Sequence, residues 1–260
     1  MSAYPYTETK PKDGDYDFVA EGTDKPQMDF VFETRYETAK KTAVYKVLTE
    51  ESIQDIPNIE SICNDLLFKK HELAKQKGIL FGDGVGKNPK GATTYGRLFN
   101  STGMSGASGI VSPTFLDVIY ACITDIGRTH NYVDEEKYTA NLVLVNDVDY
   151  FTQFVSEKDN DNRSQYPAAN IFSAFQINGI TIMPERDIPS GKIFVGDMTR
   201  YNTTNYKPYS IRVAWANDDA IKNQFRLIAE SRFHAFVQKL DEQAFIYDDI
   251  ATIRTAITKA

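Results

Sequence analysis

The chain has 260 residues, 42% hydrophobic and 25% charged, enough apolar side chain for a packed core in one large or two small domains. Its formal net charge of −7 disfavours an autonomous nucleic-acid binder, which needs clustered cations. Two cysteines, Cys63 and Cys122, and three scattered histidines, His71, His130 and His234, form neither a disulfide framework nor a metal-ligand spacing, so no metal or cofactor is expected.

Residues 1–18 are rich in Tyr, Pro, Asp, Lys and Thr and read as a short extended arm, since Pro5 and Pro11 forbid a helix. The acidic, polar start does not resemble a signal peptide, and no apolar run approaches the roughly 20 residues of a membrane span. An intracellular, reducing setting is the expectation. Residues 15–48 predict a hairpin. Strands at 15–20 and 28–35 flank the turn Glu21-Gly22-Thr23-Asp24-Lys25-Pro26, and 43–48 is a further strand. Charges on both faces leave such a hairpin poorly stable alone, so it needs a support, such as a second copy of the chain.

Residues 58–91 predict a long helix that runs into a glycine-rich loop. Asp55 and Pro57 suit its first turn. Ile59, Ile62, Cys63, Leu66, Leu67, Leu73 and Ala74 follow the spacing of one buried face. Lys69, Lys70, Lys75 and Lys77 crowd the C-terminal half, where the dipole favours cations, and Gly78 is the natural stop. The loop is not a phosphate cradle. Gly82 and Gly86 enclose only three residues, Asn88 follows Lys87, and the loop closes a helix instead of opening one. A tight backbone crossing explains the glycines better.

Residues 109–201 predict a compact α/β subdomain. It holds a helix at 113–128, a strand at 140–145, a short helix at 147–156, a polar loop at 157–169, and strands at 179–183 and 192–197 around Pro189-Ser190-Gly191. In the tail, 209–216 reads as a strand. Asp218 and Asp219 open a helix with an apolar stripe of Ile221, Phe225, Ile228 and Ala229, and 234–237 and 244–248 return as strands. The fold class is α+β. No G-x-S-x-G elbow appears, and the acid pairs Asp218-Asp219 and Asp248-Asp249 sit at predicted element ends, so no enzyme signal stands out.

The order of these parts resembles the major capsid protein family of tailed bacteriophages, the Hong Kong phage-type capsid fold. Residues 19–26 followed by an alternating strand resemble that family's E-loop tip. The helix to Gly78 with Gly82-Asp83-Gly84-Val85-Gly86 resembles its spine helix and closing turn. Residues 179–184, 188–191 and 194–197 resemble its axial subdomain. Lys222-Asn223 with Ala229-Glu230-Ser231-Arg232 resembles its last peripheral helix.

The resemblance implies a structural subunit, not an enzyme. It implies a short N-terminal arm at 1–18, an E-loop hairpin at 15–48, a peripheral domain with spine helix at 49–109 and 204–260, and an axial subdomain at 110–203. Copies would build the hexamers and pentamers of an icosahedral head around double-stranded DNA, in the virion, after assembly in the bacterial host cytoplasm. Partners would be the chain itself, scaffold, portal and decoration proteins, and packaged DNA held non-specifically, with no membrane. By charge alone, Lys69, Lys70, Lys75 and Lys77 are either a local DNA patch or an ordinary charged solvent face. The same fold also serves as an encapsulin-like compartment shell, the alternative. Family members usually carry a longer arm than the 20 residues before Glu21. The resemblance further assigns an intersubunit isopeptide crosslink to Lys25 as nucleophile, Asn223 as amide acceptor and Glu230 as proton acceptor. On one helix face, seven residues would separate Asn223 and Glu230 by about 10 Å, so a competent site would draw on different copies.

Overall fold

The computed structural model describes residues 3–14, 17–55, 58–106, 109–129, 136–158, 163, 166 and 174–259. The strands in chain order are β1 (Ala3–Asp13), β2 (Asp29–Thr38), β3 (Lys40–Thr49), β4 (Leu142–Val145), β5 (Phe175–Ile177), β6 (Ile180–Pro184), β7 (Lys192–Gly196), β8 (Tyr201–Ala214), β9 (Gln224–Val237) and β10 (Phe245–Asp249). The helices are α1 (Glu50–Asp55), α2 (Ile59–Phe81), α3 (Ala92–Tyr95), α4 (Phe115–Arg128), α5 (Asp147–Asp149), which continues as a π-helical turn over Tyr150–Val155, and α6 (Ile250–Ile257).

β1 and β2 form a two-stranded ribbon. The ion pairs Lys10–Glu33 and Glu8–Arg35, each at 2.8 Å, run in the order of an antiparallel pair. The expected arm is therefore itself a strand, and the expected strand at 15–20 is absent over its described part, 17–20. Pro5 and Pro11 fit because β1 has only one strand neighbour among the described residues, so a missing ladder donor costs little. The connection 17–27 is exposed throughout.

The chain divides into two compact units. One comprises Met1–Tyr6, Tyr36–Thr94 and Asn202–Phe236; the other comprises Thr7–Arg35, Tyr95–Tyr201 and Val237–Ala260.

The first unit is built on the sheet β3-β9-β8. β3 and β9 pair antiparallel from Lys40↔Phe233 to Thr49↔Gln224. Here the helix expected after Asp218 is overturned. Residues 217–223 form a turn, with Asn217 and Asn223 in the left-handed region at φ 52 and 48. β9 follows, burying Leu227, Ala229, Ser231, Phe233 and Ala235 on one face. That period of two, paired on both sides, wins over the helical spacing of Ile221, Phe225, Ile228 and Ala229.

α2 also departs from expectation at both ends. Asp55 closes α1, and Pro57 lies outside the described residues. The helix continues through Gly78 to Phe81, where the Gly82 N–H donates to Gly78 O at 3.0 Å. The backbone crossing, by contrast, is present. Gly91 N donates to Gly82 O at 2.8 Å and Gly84 N to Pro89 O at 2.9 Å. A Cβ on Gly82 would stand 2.1 Å from Pro89 O, and one on Gly91 would stand 2.4 Å from Gly82 N. Only glycine lets these segments approach so closely.

The second unit carries the sheet β10-β7-β4-β6-β5, parallel between β4 and β6 and antiparallel elsewhere. α4 packs in this unit through Phe115, Val118, Ile119, Ala121, Cys122 and Ile126, all buried. A capping box fixes its start: Thr114 Oγ1 accepts from Asp117 N at 3.3 Å, and the Asp117 carboxylate accepts from Thr114 N at 2.8 Å. Residues 237–260, expected with the peripheral domain, supply β10 and α6 to this unit. α6 buries Ile250, Ile253 and Ile257. The loop expected at 157–169 lies largely outside the described residues.

Candidate assembly interface

The buried carboxylates hold the fold. Asp125 takes Arg97 at 2.6 Å and the Asn100 N–H at 3.0 Å. Asp149 accepts the Gly191 N–H at 2.6 Å, Asp197 the Thr139 N–H at 3.0 Å, and Asp248 the Phe99 N–H at 3.0 Å. A charge that accepts such bonds is stabilised and structural. Cys122 is buried, and desolvation pushes its thiol far above the usual range, so it is unreactive. Among the described residues no group of three or more His, Cys, Asp or Glu could hold a metal ion.

One arrangement was invisible in the sequence because 160 residues separate its members. His71 Nε2 lies 2.5 Å from Ser231 Oγ, and His71 Nδ1 lies 3.0 Å from Glu72. This has the outline of a nucleophile, base and acid. Ser231 is 5% exposed and also bonded to Thr42 at 2.8 Å, so its oxygen is closed to a substrate. The group ties α2 and β3 to β9.

Lys25 lies in the exposed connection 17–27. Asn223 closes the turn before β9, and its carbonyl accepts the Glu50 N–H at 2.9 Å. Glu230 lies in mid-β9 beside Lys207 and beside Lys41 at 3.0 Å. The hydrogen bonds from Lys207 and then Lys41 hold its carboxyl down at about 2. Arg226, one turn away in the helical expectation, instead grips Asp219 at 2.6 Å. Asn223 sits in the turn and Glu230 seven residues on in β9, so extended backbone separates them by about 20 Å instead of 10. Asn223 and Glu230 of one copy are thus even less able to share a site. A carboxylate held this low is also a weak proton acceptor, the reverse of what an amide-forming reaction needs.

Of the α2 lysines, Lys75 is occupied. Its Nζ donates to Asn205 at 3.2 Å and sits 5.4 Å over the Phe233 ring. Lys69, Lys70 and Lys77 are exposed.

What the structure leaves uncovered is apolar. α2 has no buried residue, and Ile62, Leu66 and Leu73 are each more than half exposed. Phe18 is fully exposed in the ribbon connection, and Trp215 before the turn between β8 and β9 and Ile221 within it are 65% and 85% exposed. Ile62, Leu66 and Leu73 lie four and seven residues apart on one face of α2, and an exposed apolar stripe of that kind marks contacts with other chains.

Solved structures share this architecture. The capsid of a native GTA particle matches with a TM-score of 0.65 at 15% identity, over 95% of this chain and 85% of that one. The structure from Microbacterium phage Oxtober96 matches with a TM-score of 0.64 at 16% identity, over 100% and 88%. The fold is therefore an α+β capsid-subunit fold of the Hong Kong phage type. The sequence profile of the Phage capsid family matches residues 1–247, and the chain belongs to that family. The major capsid protein of Enterobacteria phage HK97 is 24% identical over 222 residues, 83% of this chain and 53% of that protein. The chain thus spans about half the length of that curated relative.

Proposed function

We propose that the chain is a major capsid protein, whose copies close into the hexamers and pentamers of an icosahedral phage head around double-stranded DNA. The observation that carries it is α2, a 23-residue helix without a single buried residue. α2 rests on β9 through His71 and Lys75, while its apolar residues Ile62, Leu66 and Leu73 stay exposed, which suits contact with other copies. The two units would take the peripheral and axial places in the shell. An encapsulin-like compartment is the weaker reading, because both the family and the relatives are phage capsids. Scaffold, portal and decoration proteins would be partners of the assembled head. Packaged DNA would meet the chain through local lysines, such as Lys69 and Lys70, against an acidic net charge.

Electron microscopy of the purified chain after nuclease treatment tests this. Closed shells that retain protected DNA support it. Shells that enclose a protein cargo favour the compartment, and monomers at every concentration contradict both. For Lys25, Asn223 and Glu230, the role that the geometry favours is non-covalent: Glu230 clamps β9 to its neighbouring strands. Denaturing gels of assembled particles should then show monomer bands, whereas a ladder of linked chains would restore the crosslink.

A further inference from the structure

Among the described side chains of β1 and β2 one is buried, and it is an acid: Glu8, at 1% exposure. The other described side chains of the ribbon are half-buried or exposed. Both oxygens of the Glu8 carboxylate are engaged. Oε1 accepts the Lys239 N–H at 2.7 Å, and Oε2 pairs with Arg35 Nε at 2.8 Å. Lys239 opens the 3-10 turn Lys239–Ala244, whose own cap residue, Gln238, makes no side-chain hydrogen bond. Glu8 therefore supplies, from a strand more than 200 residues away, the capping acceptor that this turn lacks. Glu8, Arg35 and Lys239 all belong to the second unit.

We propose that Glu8 is the positioning residue of the ribbon, clamping residues 7–35 onto the turn at 239–244 so that a single copy sets the ribbon's direction before copies meet. The inference rests on the shell-subunit reading and adds what makes one copy ready to assemble. A buried carboxylate is tolerated only while both of its partners are in place, because losing either leaves a charge out of water without compensation. The clamp is thus all-or-none: Lys239 and Arg35 hold Glu8 together, or the ribbon lifts and Glu8 returns to solvent.

The ribbon's other contacts do not do this. Lys10 and Glu33 pair at 2.8 Å but are 36% and 45% exposed, and an ion pair in water holds little. Tyr6 stacks on Phe236 at 4.3 Å, but both belong to the first unit, and that contact holds the start of β1 and not residues 7–35. A two-stranded ribbon without further support is marginally stable at best.

Hydrogen exchange on the dilute full chain, with particle yield read alongside, tests this. Glu8→Ala should speed exchange of the Lys239 amide by about tenfold or more and loosen the amides of 7–13 and 29–35, while residues 115–128 keep their protection. Glu8→Gln can still accept from Lys239 but cannot pair with Arg35, and should loosen the ribbon less. Lys10→Ala, which removes only the exposed pair, should leave Lys239 as in the wild type. Particle yield should fall in the same order, furthest for Glu8→Ala. Wild-type exchange at Lys239 in Glu8→Ala, or an equal loss in Lys10→Ala, overturns the clamp. Full particle yield from a Glu8→Ala chain with a loosened ribbon overturns its part in assembly. Should Glu8→Ala also unprotect residues 115–128, Glu8→Gln decides, and wild-type exchange in its ribbon overturns the clamp. A wild-type chain that forms no particles sinks the shell reading alone, since the exchange result does not depend on assembly.

Discussion

α2 and α4 are the two long helices among the described residues and are opposites. α4 has 14 residues and buries seven of them, with a capping box to fix its start. α2 has 23 residues, buries none, begins at a left-handed Asn58 without a side-chain cap, and leaves Ile62, Leu66, Phe68 and Leu73 about half in water. α4 is stabilised by its own chain, at about 1.5–3 kcal/mol for each large apolar side chain fully buried. α2 has apolar area still to bury. The lesson is that the second unit contains its own core, whereas the first leaves part of its burial for contact with other copies.

Substitutions should separate the two helices. Phe115→Ala removes a fully buried ring from α4 and should cost about 3–5 kcal/mol in denaturant unfolding. Gly82→Ala, with its Cβ 2.1 Å from Pro89 O, forces the crossing apart. Overpacking of this kind costs about 1–3 kcal/mol and should appear as a lowered thermal midpoint.

Acid should weaken the first unit through Glu230. Its folded-state pKa of about 2 lies below the ordinary 4.5, so its contribution is present above pH 4.5 and is lost as pH falls toward 2. Glu230→Gln should flatten that part of the stability–pH curve, and an unchanged curve would show that the Lys41 and Lys207 contacts matter little. Smallest within the isolated chain is Leu66→Ala on α2. It should change stability by no more than about 0.5 kcal/mol while cutting particle yield, because that side chain is exposed until copies meet. A large loss of stability in the dilute chain would erase the contrast.

Local signals were readable in the sequence where one element decided them. The helix at 113–128, the turn at Pro189-Ser190-Gly191 with its flanking strands, and the glycine crossing all followed from periodicity or backbone sterics. Long-range pairing was not readable. Ile221, Phe225, Ile228 and Ala229 mimic a helical stripe, and only the pairing of β9 with β3 on one side and β8 on the other makes residues 224–237 a strand. The same holds for Glu230, whose partners Lys41 and Lys207 are remote in sequence. The stripe of α2 expected to be buried is not: Ile62, Leu66 and Leu73 are exposed while His71 and Lys75 face β9, because whether a face is buried by its own chain or by another is not encoded in its spacing.

Hydrogen exchange on the same preparation, compared between the dilute chain and the sedimenting particle, tests the contrast most directly. Amides of residues 115–128 should be protected in both, and those of residues 59–81 should gain protection only in the particle. Equal protection of α2 in both states would contradict the account.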